Sequence, residues 1–497
     1  MQTSLLIALL LYFAAMLLIG VYAYRRSTDD LSGYLLGGRQ LGPGVTALSA
    51  GASDMSGWII MGLPGAVYLS GLSNIWIGLG LVVGAYLNYL LVAPRLRAYT
   101  EIAGDSITLP DFFENRFEDS SRLLRIVASI VIIVFFTVYT SSGLVGGGKL
   151  FETAFNQSYE LGLYVTAGVV VLYTLFGGFL AVSMTDFVQG CIMFIALILV
   201  PTVAILNLGG VGPVIDTLSA IDAKYLSISN LSIAAVISSL AWGLGYFGQP
   251  HIIVRFMAIR SVGEIKVARR IGMSWIVTCL VGAMATGFVG IAFIHQAQVS
   301  LNDPEAIFIL LSQLLFHPFI TGFLLAAVLA AIMSTVSSQL LVTSSSLTED
   351  IYKAFLNKQA TEHQLVFISR LSVVAVAMLA IYLAHNRDSS ILQLVSHAWA
   401  GFGAAFGPMI LLSLYWPRMT AAGALAGIVV GAATVLVWIY APISIAGQSL
   451  SQIIYAMVPG VLLSALAIVL ISRLTKTPSA EINTAFLAME SRVKSEL

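Results

Sequence analysis

The chain has 497 residues, of which 58% are apolar and 10% charged, whereas soluble domains carry about 25% charged residues. Lys plus Arg and Asp plus Glu each number 24, so there is no basic excess to neutralise phosphates and no nucleic-acid partner is indicated. The two cysteines, Cys191 and Cys279, lie inside apolar stretches and imply no disulfide framework.

Apolar stretches of membrane-spanning length recur along the chain. Thirteen are predicted, at 4–24, 44–70, 74–94, 123–148, 160–180, 186–208, 231–254, 271–294, 319–346, 366–385, 390–416, 421–440 and 453–473. The first has no basic residue before it and is too long for a cleaved leader, so it is expected to be retained as a span. Placing the N-terminus outside puts 21 of the 24 Lys and Arg residues on the cytoplasmic side, in clusters such as Arg25, Arg26 and Arg39, and Arg95, Arg97, Arg116, Arg122 and Arg125. Only Lys149, Lys224 and Arg387 fall outside. This bias predicts an all-α polytopic membrane protein with about 13 transmembrane helices, N-terminus outside and C-terminus cytoplasmic.

The second stretch contains an aspartate, Asp54, in the run Ala50-Gly51-Ala52-Ser53-Asp54-Met55-Ser56-Gly57. A carboxylate at membrane depth costs about 2.5–3.5 kcal/mol even on lenient scales. Small, polar and glycine residues around it are unnecessary for a continuous helix. They suit one broken so that backbone carbonyls face an ion. Asp54 could ligate a cation directly, or hold the break through Ser53 and Ser56. A structural salt bridge is the alternative, though no basic residue is placed at similar depth.

The loop at 95–122 is expected to hold a short interfacial helix. In the fourth stretch, Tyr139 lies beside Ser141-Ser142-Gly143. Gly143 to Lys149 imitates a phosphate-binding loop, but Leu150 stands where a magnesium-binding hydroxyl is needed. Gly143 and Gly147 instead fit close helix packing. Asp186 opens the sixth stretch, where an N-cap role is open beside a functional one. Arg39 and Arg370 read as anchors to lipid headgroups. Residues 209–230 read as a Gly-, Ser- and Asp-rich outside loop.

The seventh stretch carries Gly243-Leu244-Gly245-Tyr246-Phe247-Gly248-Gln249-Pro250, a run that disrupts a helix ladder. Trp242, Tyr246 and Pro250 recur at four-residue spacing beside it. They offer an apolar wall and a cation-attracting face, although such a stripe also serves plain packing. In the ninth stretch Ala331, Ser334 and Thr335 share one helix face. Their hydroxyls could complete an oxygen site for a hard cation such as sodium, or merely bond back to the helix and its neighbours. Spans two to six and seven to eleven form two groups of five in opposite orientation, each opening on an interrupted helix. This predicts one transmembrane domain at 1–475, with core repeats at about 44–208 and 231–416 and extra helices at 4–24, 421–440 and 453–473. The tail, 476–497, reads as a solvated amphipathic helix through Ile482, Phe486, Leu487 and Val493. No nucleophile–base or metal constellation of an enzyme is seen.

Leu36-Gly37-Gly38-Arg39-Gln40-Leu41-Gly42, 46–64, 242–257 and 330–341 resemble the sodium:solute symporter family, and the match runs over nearly the whole chain. The stretches 46–64 and 242–257 are most similar to its proline-carrying branch. The resemblance implies a LeuT-type fold of two inverted five-helix repeats. It implies a sodium site from the carbonyls of Ala52, Met55 and Ala331 and the hydroxyls of Ser334 and Thr335. Asp54, with Ser56 and Gly57, and Asp186 match coupling positions. Tyr139, Trp242, Tyr246 and Pro250 match positions linked to the solute. The expected activity is electrogenic uptake of L-proline with co-transported sodium, by alternating access, in a bacterial cytoplasmic membrane among its lipids. The alternatives are another small amino acid or a monocarboxylate as solute, or a sensor that binds without transport.

Overall fold

The computed structural model describes residues 2–25, 31–386 and 390–497; Arg26 and Arg387, counted above for orientation, lie outside these residues. The described chain is helical apart from loops and a two-stranded hairpin, Ser444–Ile445 with Gln448–Ser449. All thirteen predicted stretches are helical, but two are broken and two run together. With a short loop helix, α6, and a tail helix, α17, added, they are α1 (Gln2–Tyr24), α2 and α3 (Pro43–Asp54, Leu63–Ser70), α4 and α5 (Ile75–Leu87, Ala93–Ile102), α6 (Leu109–Phe117), α7 (Leu123–Phe155), α8 (Tyr159–Asn207), α9 and α10 (Ile233–Leu240, Pro250–Ala258), α11 (Ile265–Ala297), α12 (Pro318–Ser345), α13 (Glu362–Leu383), α14 (Ile391–Tyr415), α15 (Ala421–Tyr440), α16 (Met457–Leu474) and α17 (Ala480–Glu496). Among the described residues, ten helices are long and apolar enough to cross a membrane.

Their ends follow local chemistry. Side chains of Ser158, Ser232, Thr361, Ser390, Thr420 and Ser479 cap orphan N–H groups at helix starts. Pro43, Pro250 and Pro318 occupy first turns, where their missing N–H is harmless. The fifth and sixth stretches form one helix, α8, kinked at Gly178, whose φ of 55° a side chain rarely adopts. The helix therefore turns at 178 and not just before Asp186, and Asp186 caps nothing.

Burial divides the helices. In α12 and α14, 83% of the apolar window is buried, against 33% in α1 and 28% in α16. The first two thus run through the interior, and α1 and α16 lie at the rim with Leu10, Leu18, Leu462 and Leu466 exposed. Gly143 and Gly147 do mark close approach: a Cβ there would press on Val336 and Thr166.

Three expectations about the edges are corrected. Residues 209–230 include a helix, Val211–Ile221, whose Val214 and Leu218 are buried beneath the polar residues that made the segment read as a loop. The tail helix α17 is docked, not solvated. Ile482, Phe486 and Met489 are buried, Phe486 meets the Tyr99 ring edge-on at 6.3 Å, and Arg95 pairs with Glu490 at 3.2 Å. Arg39 and Arg370 reach inward to backbone and not to headgroups. Arg39 donates to the carbonyls of Met257 (2.8 Å) and Ser106 (2.7 Å), and Arg370 to that of Leu175 (2.9 Å). Burial pulls the Arg39 guanidinium below its ordinary pKa, and Asp105 opposes that shift. α6 is the expected short helix of the 95–122 loop, with Phe112, Phe113 and Phe117 buried.

Candidate functional site

The first break ends α2 at Asp54; Met55 leaves the helix with φ −85° and ψ 79°, and a π-helical turn resumes at Trp58. A helix end leaves four carbonyls without intrahelical partners. Here three of them have described partners. The Gly51 carbonyl accepts from Met55 N (2.9 Å). The Ala52 carbonyl accepts from the hydroxyls of Ser334 (2.7 Å) and Thr335 (3.3 Å). The Asp54 carbonyl accepts from Ser56 N (3.0 Å), Trp58 Nε1 (3.1 Å) and Tyr139 OH (3.4 Å).

The Ala331 carbonyl is the alternative acceptor for the same two hydroxyls, at 3.2 Å from Ser334 and 3.3 Å from Thr335. Ala52, Ala331, Ser334 and Thr335 therefore meet as four oxygens, buried and drawn from two helices far apart in sequence. An oxygen-only set of carbonyls and hydroxyls is the donor chemistry that a hard cation prefers. Met55 is buried beside them, and none of the described contacts ties its carbonyl into the cluster. Ser56 Oγ accepts from Trp58 N at 3.4 Å, holding the restart of the helix, and Gly57 leaves room for Ile332.

The second break is a 3₁₀ run, Ala241–Gly248, between α9 and α10. It passes α4 backbone to backbone: a Cβ on Gly243 would overlap the Gly80 carbonyl, and one on Gly84 the Gly243 carbonyl. This brings Tyr246 to Asp54, whose Oδ2 accepts the phenol at 2.5 Å. Asp54 is 1% exposed, and its Oδ1 has no hydrogen-bond partner. Tyr246 meets Trp399 edge-on at 5.3 Å, and Trp399 Nε1 donates to the Trp242 carbonyl at 2.8 Å. Trp242 lies 6.4 Å from Trp58 and stacks on Tyr455 at 5.5 Å. Above this pair opens a cavity of about 500 Å³ lined by hydroxyls and amides, including Ser238, Ser239, Gln393 and Ser396.

The structure thus brings Tyr139 and Tyr246 onto Asp54, and links Trp242 to them through Trp58 and Trp399. Pro250 is set apart. It starts α10 and lines a small cavity with Thr108, Ile132 and Leu341.

Asp186 lies in a separate constellation. Its Oδ2 accepts from Ser49 Oγ (2.7 Å), Arg255 Nη2 (3.1 Å) and Ser338 Oγ (3.4 Å), and both charged side chains are fully buried. Arg255 also donates to Ser338 Oγ (2.6 Å), Ser49 Oγ (3.0 Å) and the His251 carbonyl (2.6 Å). The network ties α2, α8, α10 and α12 together. Arg255 is the residue that sequence reading missed. The predicted stretch at 231–254 stops one residue short of it and leaves it among the basic residues counted as cytoplasmic. The apolar run continues through Phe256, Met257 and Ala258 and was the available signal.

Beyond α10 the chain is sealed. Leu41 pairs with Ile259 in a parallel bridge, and Arg97 donates to the carbonyls of Ile259 (2.5 Å) and Arg260 (3.1 Å).

Two helices broken at places that meet through Tyr246 and Asp54, within a bundle of long apolar helices, form an architecture shared with transporters of LeuT-type fold. Solved structures of that architecture superpose on the chain. A Na+-coupled sialic acid symporter, in a substrate-bound outward-open state, gives a TM-score of 0.80 at 20% identity, covering 96% of this chain and 99% of that one. A nucleobase-cation-symport-1 family transporter in a closed conformation gives 0.56 at 12% identity, covering 92% and 98%. The chain belongs to the sodium:solute symporter family, whose pattern matches residues 34–431. It is 57% identical over 99% of both chains to the osmoregulated proline transporter of Bacillus subtilis (strain 168). It is 58% identical to the high-affinity proline transporter of the same organism, over 95% of this chain and 98% of that one. With a sodium/proline symporter of Staphylococcus aureus (strain JH9) it shares 54% over 97% and 94%.

Proposed function

We propose that the protein is an electrogenic sodium/L-proline symporter of a bacterial cytoplasmic membrane, working by alternating access. The observation that carries this reading is the meeting of Ser334 and Thr335 with the Ala52 carbonyl at the Asp54 break. Relatives at 54–58% identity that are named for proline supply the solute.

In this reading thirteen helices cross the membrane, with the N-terminus outside and the tail cytoplasmic. The core repeats are 44–208 and 231–416, and the tail begins near 476. Sodium is held by the carbonyls of Ala52, Met55 and Ala331 and the hydroxyls of Ser334 and Thr335. Its arrival ties α2 to α12, with Asp54, Ser56 and Gly57 shaping the break between them. That fixes the cavity in which proline packs against Tyr139, Trp242 and Tyr246, with Pro250 setting the start of α10. Asp186 helps the ion leave toward the cytoplasm. Ties to backbone at Arg39 and Arg97 close one side of the bundle, and on the other a cavity of about 500 Å³ reaches down to Trp242. Coupling arises because sodium and proline each bind the outward and inward states unequally.

Proline is a neutral zwitterion, so one positive charge moves per cycle. A membrane potential of 100 mV supplies about 2.3 kcal/mol, and a tenfold sodium gradient about 1.4 kcal/mol. Together they sustain a proline gradient on the order of several hundredfold. The test is labelled L-proline uptake into proteoliposomes of purified protein, with and without an inward sodium gradient. Uphill accumulation that needs sodium and collapses with a sodium ionophore is the expected result. Folded protein that accumulates no proline overturns the substrate, and competition by unlabelled solutes then finds the right one.

A further inference from the structure

We infer that Tyr455, which precedes α16 and lies outside both core repeats, is a positioning residue for solute capture: it lids the path from the outer cavity by holding Trp242 in place. The inference rests on the proposed proline symport for its solute, but its geometry is independent of which solute is carried.

Four observations meet at this side chain. The Tyr455 ring stacks on Trp242 with centroids 5.5 Å apart and planes 18° apart. Its hydroxyl donates to the Ser396 carbonyl at 2.7 Å, on α14. Its backbone N–H donates to Ser238 Oγ at 3.0 Å, on α9. Both rings line the 500 Å³ cavity, yet Trp242 is only 7% exposed, with Tyr455 on one side and Trp58 at 6.4 Å. Tyr455 therefore bridges the two walls of the cavity, α9 and α14, and covers the ring that lies beside Trp58, whose indole N–H reaches the Asp54 carbonyl. A solute coming from the cavity must displace this stacked pair. After it passes, the pair closes over it again. Because the ring is anchored through a hydroxyl and a main-chain N–H from outside the core, the last span sets how Trp242 is presented.

Transport and accessibility tests separate the lid from the solute. Tyr455→Ala is expected to raise the KM for proline by roughly two- to twelvefold, the range that one aromatic pair supplies, with the sodium dependence unchanged. Tyr455→Phe keeps the stack and is expected to restore KM to within about twofold. In a Trp242→Ala background Tyr455→Ala should add nothing further, since a residue acting through another loses its effect when that partner is gone. The second measurement needs no transport. With Cys191 and Cys279 replaced by Ser, Trp242→Cys is labelled by a membrane-impermeant thiol reagent in right-side-out vesicles, with Tyr455 present or changed to Ala. Removal of Tyr455 should speed labelling by about tenfold. Unchanged labelling, or KM effects that add independently of Trp242, overturns the lid. Faster labelling in vesicles that accumulate no proline upholds the lid and overturns the proline reading alone.

Discussion

Asp54, at the broken end of α2, and Asp186, inside α8, are both buried, and each has one carboxylate oxygen engaged and the other without a hydrogen-bond partner among the described residues. Their surroundings differ. Asp186 faces a fully buried guanidinium, Arg255, with Ser49 and Ser338 completing the network. Asp54 faces a phenol, Tyr246, and none of the described ion pairs includes it. A buried charge is tolerable only when it is paired. The charge of Asp186 is balanced by the protein itself. Asp54 sits beside four converging oxygens suited to a hard cation, so under the proposed mechanism its balancing charge is the transported one. In the proposed mechanism Asp54 is the carboxylate that feels the arriving sodium charge, and Asp186, held by Arg255, assists its release.

The comparison breaks most sharply at Arg255. Arg255→Met leaves Asp186 buried without its cation, and such losses cost about 3–5 kcal/mol. The expected result is a large drop in the thermal midpoint of the purified protein in detergent. Adding Asp186→Leu should return most of that stability, because a buried pair replaced by apolar side chains is often neutral. A stable Arg255→Met single variant would mean that Asp186 needs no partner, and the two carboxylates would then be alike. Asp54→Asn should behave oppositely. It keeps the shape and the acceptor for Tyr246, so the thermal midpoint should hold. The apparent sodium affinity for uptake should fall tenfold or more, about 1.4 kcal/mol. If Asp54→Asn melts early and binds sodium normally, Asp54 is the structural carboxylate. Ser334→Ala is milder. It removes one hydroxyl from the Ala52 carbonyl and leaves Thr335 there, so a loss of about 0.5–1.5 kcal/mol, or two- to twelvefold in apparent sodium affinity, is expected.

Why one carboxylate was legible in the sequence and the other was not follows from the same contrast. Asp54 announces itself, because small residues and glycines cluster within a few positions of it and a broken helix is a local event. Ala331, Ser334 and Thr335 were also legible, since helical spacing alone puts them on one face. That they meet Ala52 is a tertiary fact to which spacing could only point. Asp186 and Arg255 are 69 residues apart, and nothing local distinguishes a charge at a span edge from one inside. Ending the span at 254 hid Arg255, and starting the next helix at 186 made its partner look like a cap. Tyr455 was illegible for another reason: its role comes from a stack between the seventh and thirteenth stretches, which no periodicity records. The docked tail was hidden because an amphipathic pattern shows that a face is apolar and not what covers it; Tyr99 and Arg116 supply that surface.

The smallest effect belongs to the ion pairs at the tail, where the comparison reaches its limit. Arg492 pairs with Glu101, which also holds Arg97 at 2.7 Å, and Arg97 in turn holds the backbone beyond α10. By connectivity this resembles the Asp186 network, since a charged relay ties one element to the end of a broken helix. By burial it does not: the side chains of Arg492 and Glu101 are 32% and 28% exposed, against 0% for both Arg255 and Asp186. Water and salt screen such a pair, and exposed pairs contribute about 0.2–1 kcal/mol. Arg492→Ala should therefore lower the thermal midpoint only slightly, and the difference should fade as ionic strength is raised toward 1 M, where screening acts within about 3 Å. A loss as large as that of Arg255→Met, and insensitive to salt, would show that the relay and not burial sets the cost. The inner seal at Arg97 would then depend on the tail for more than packing.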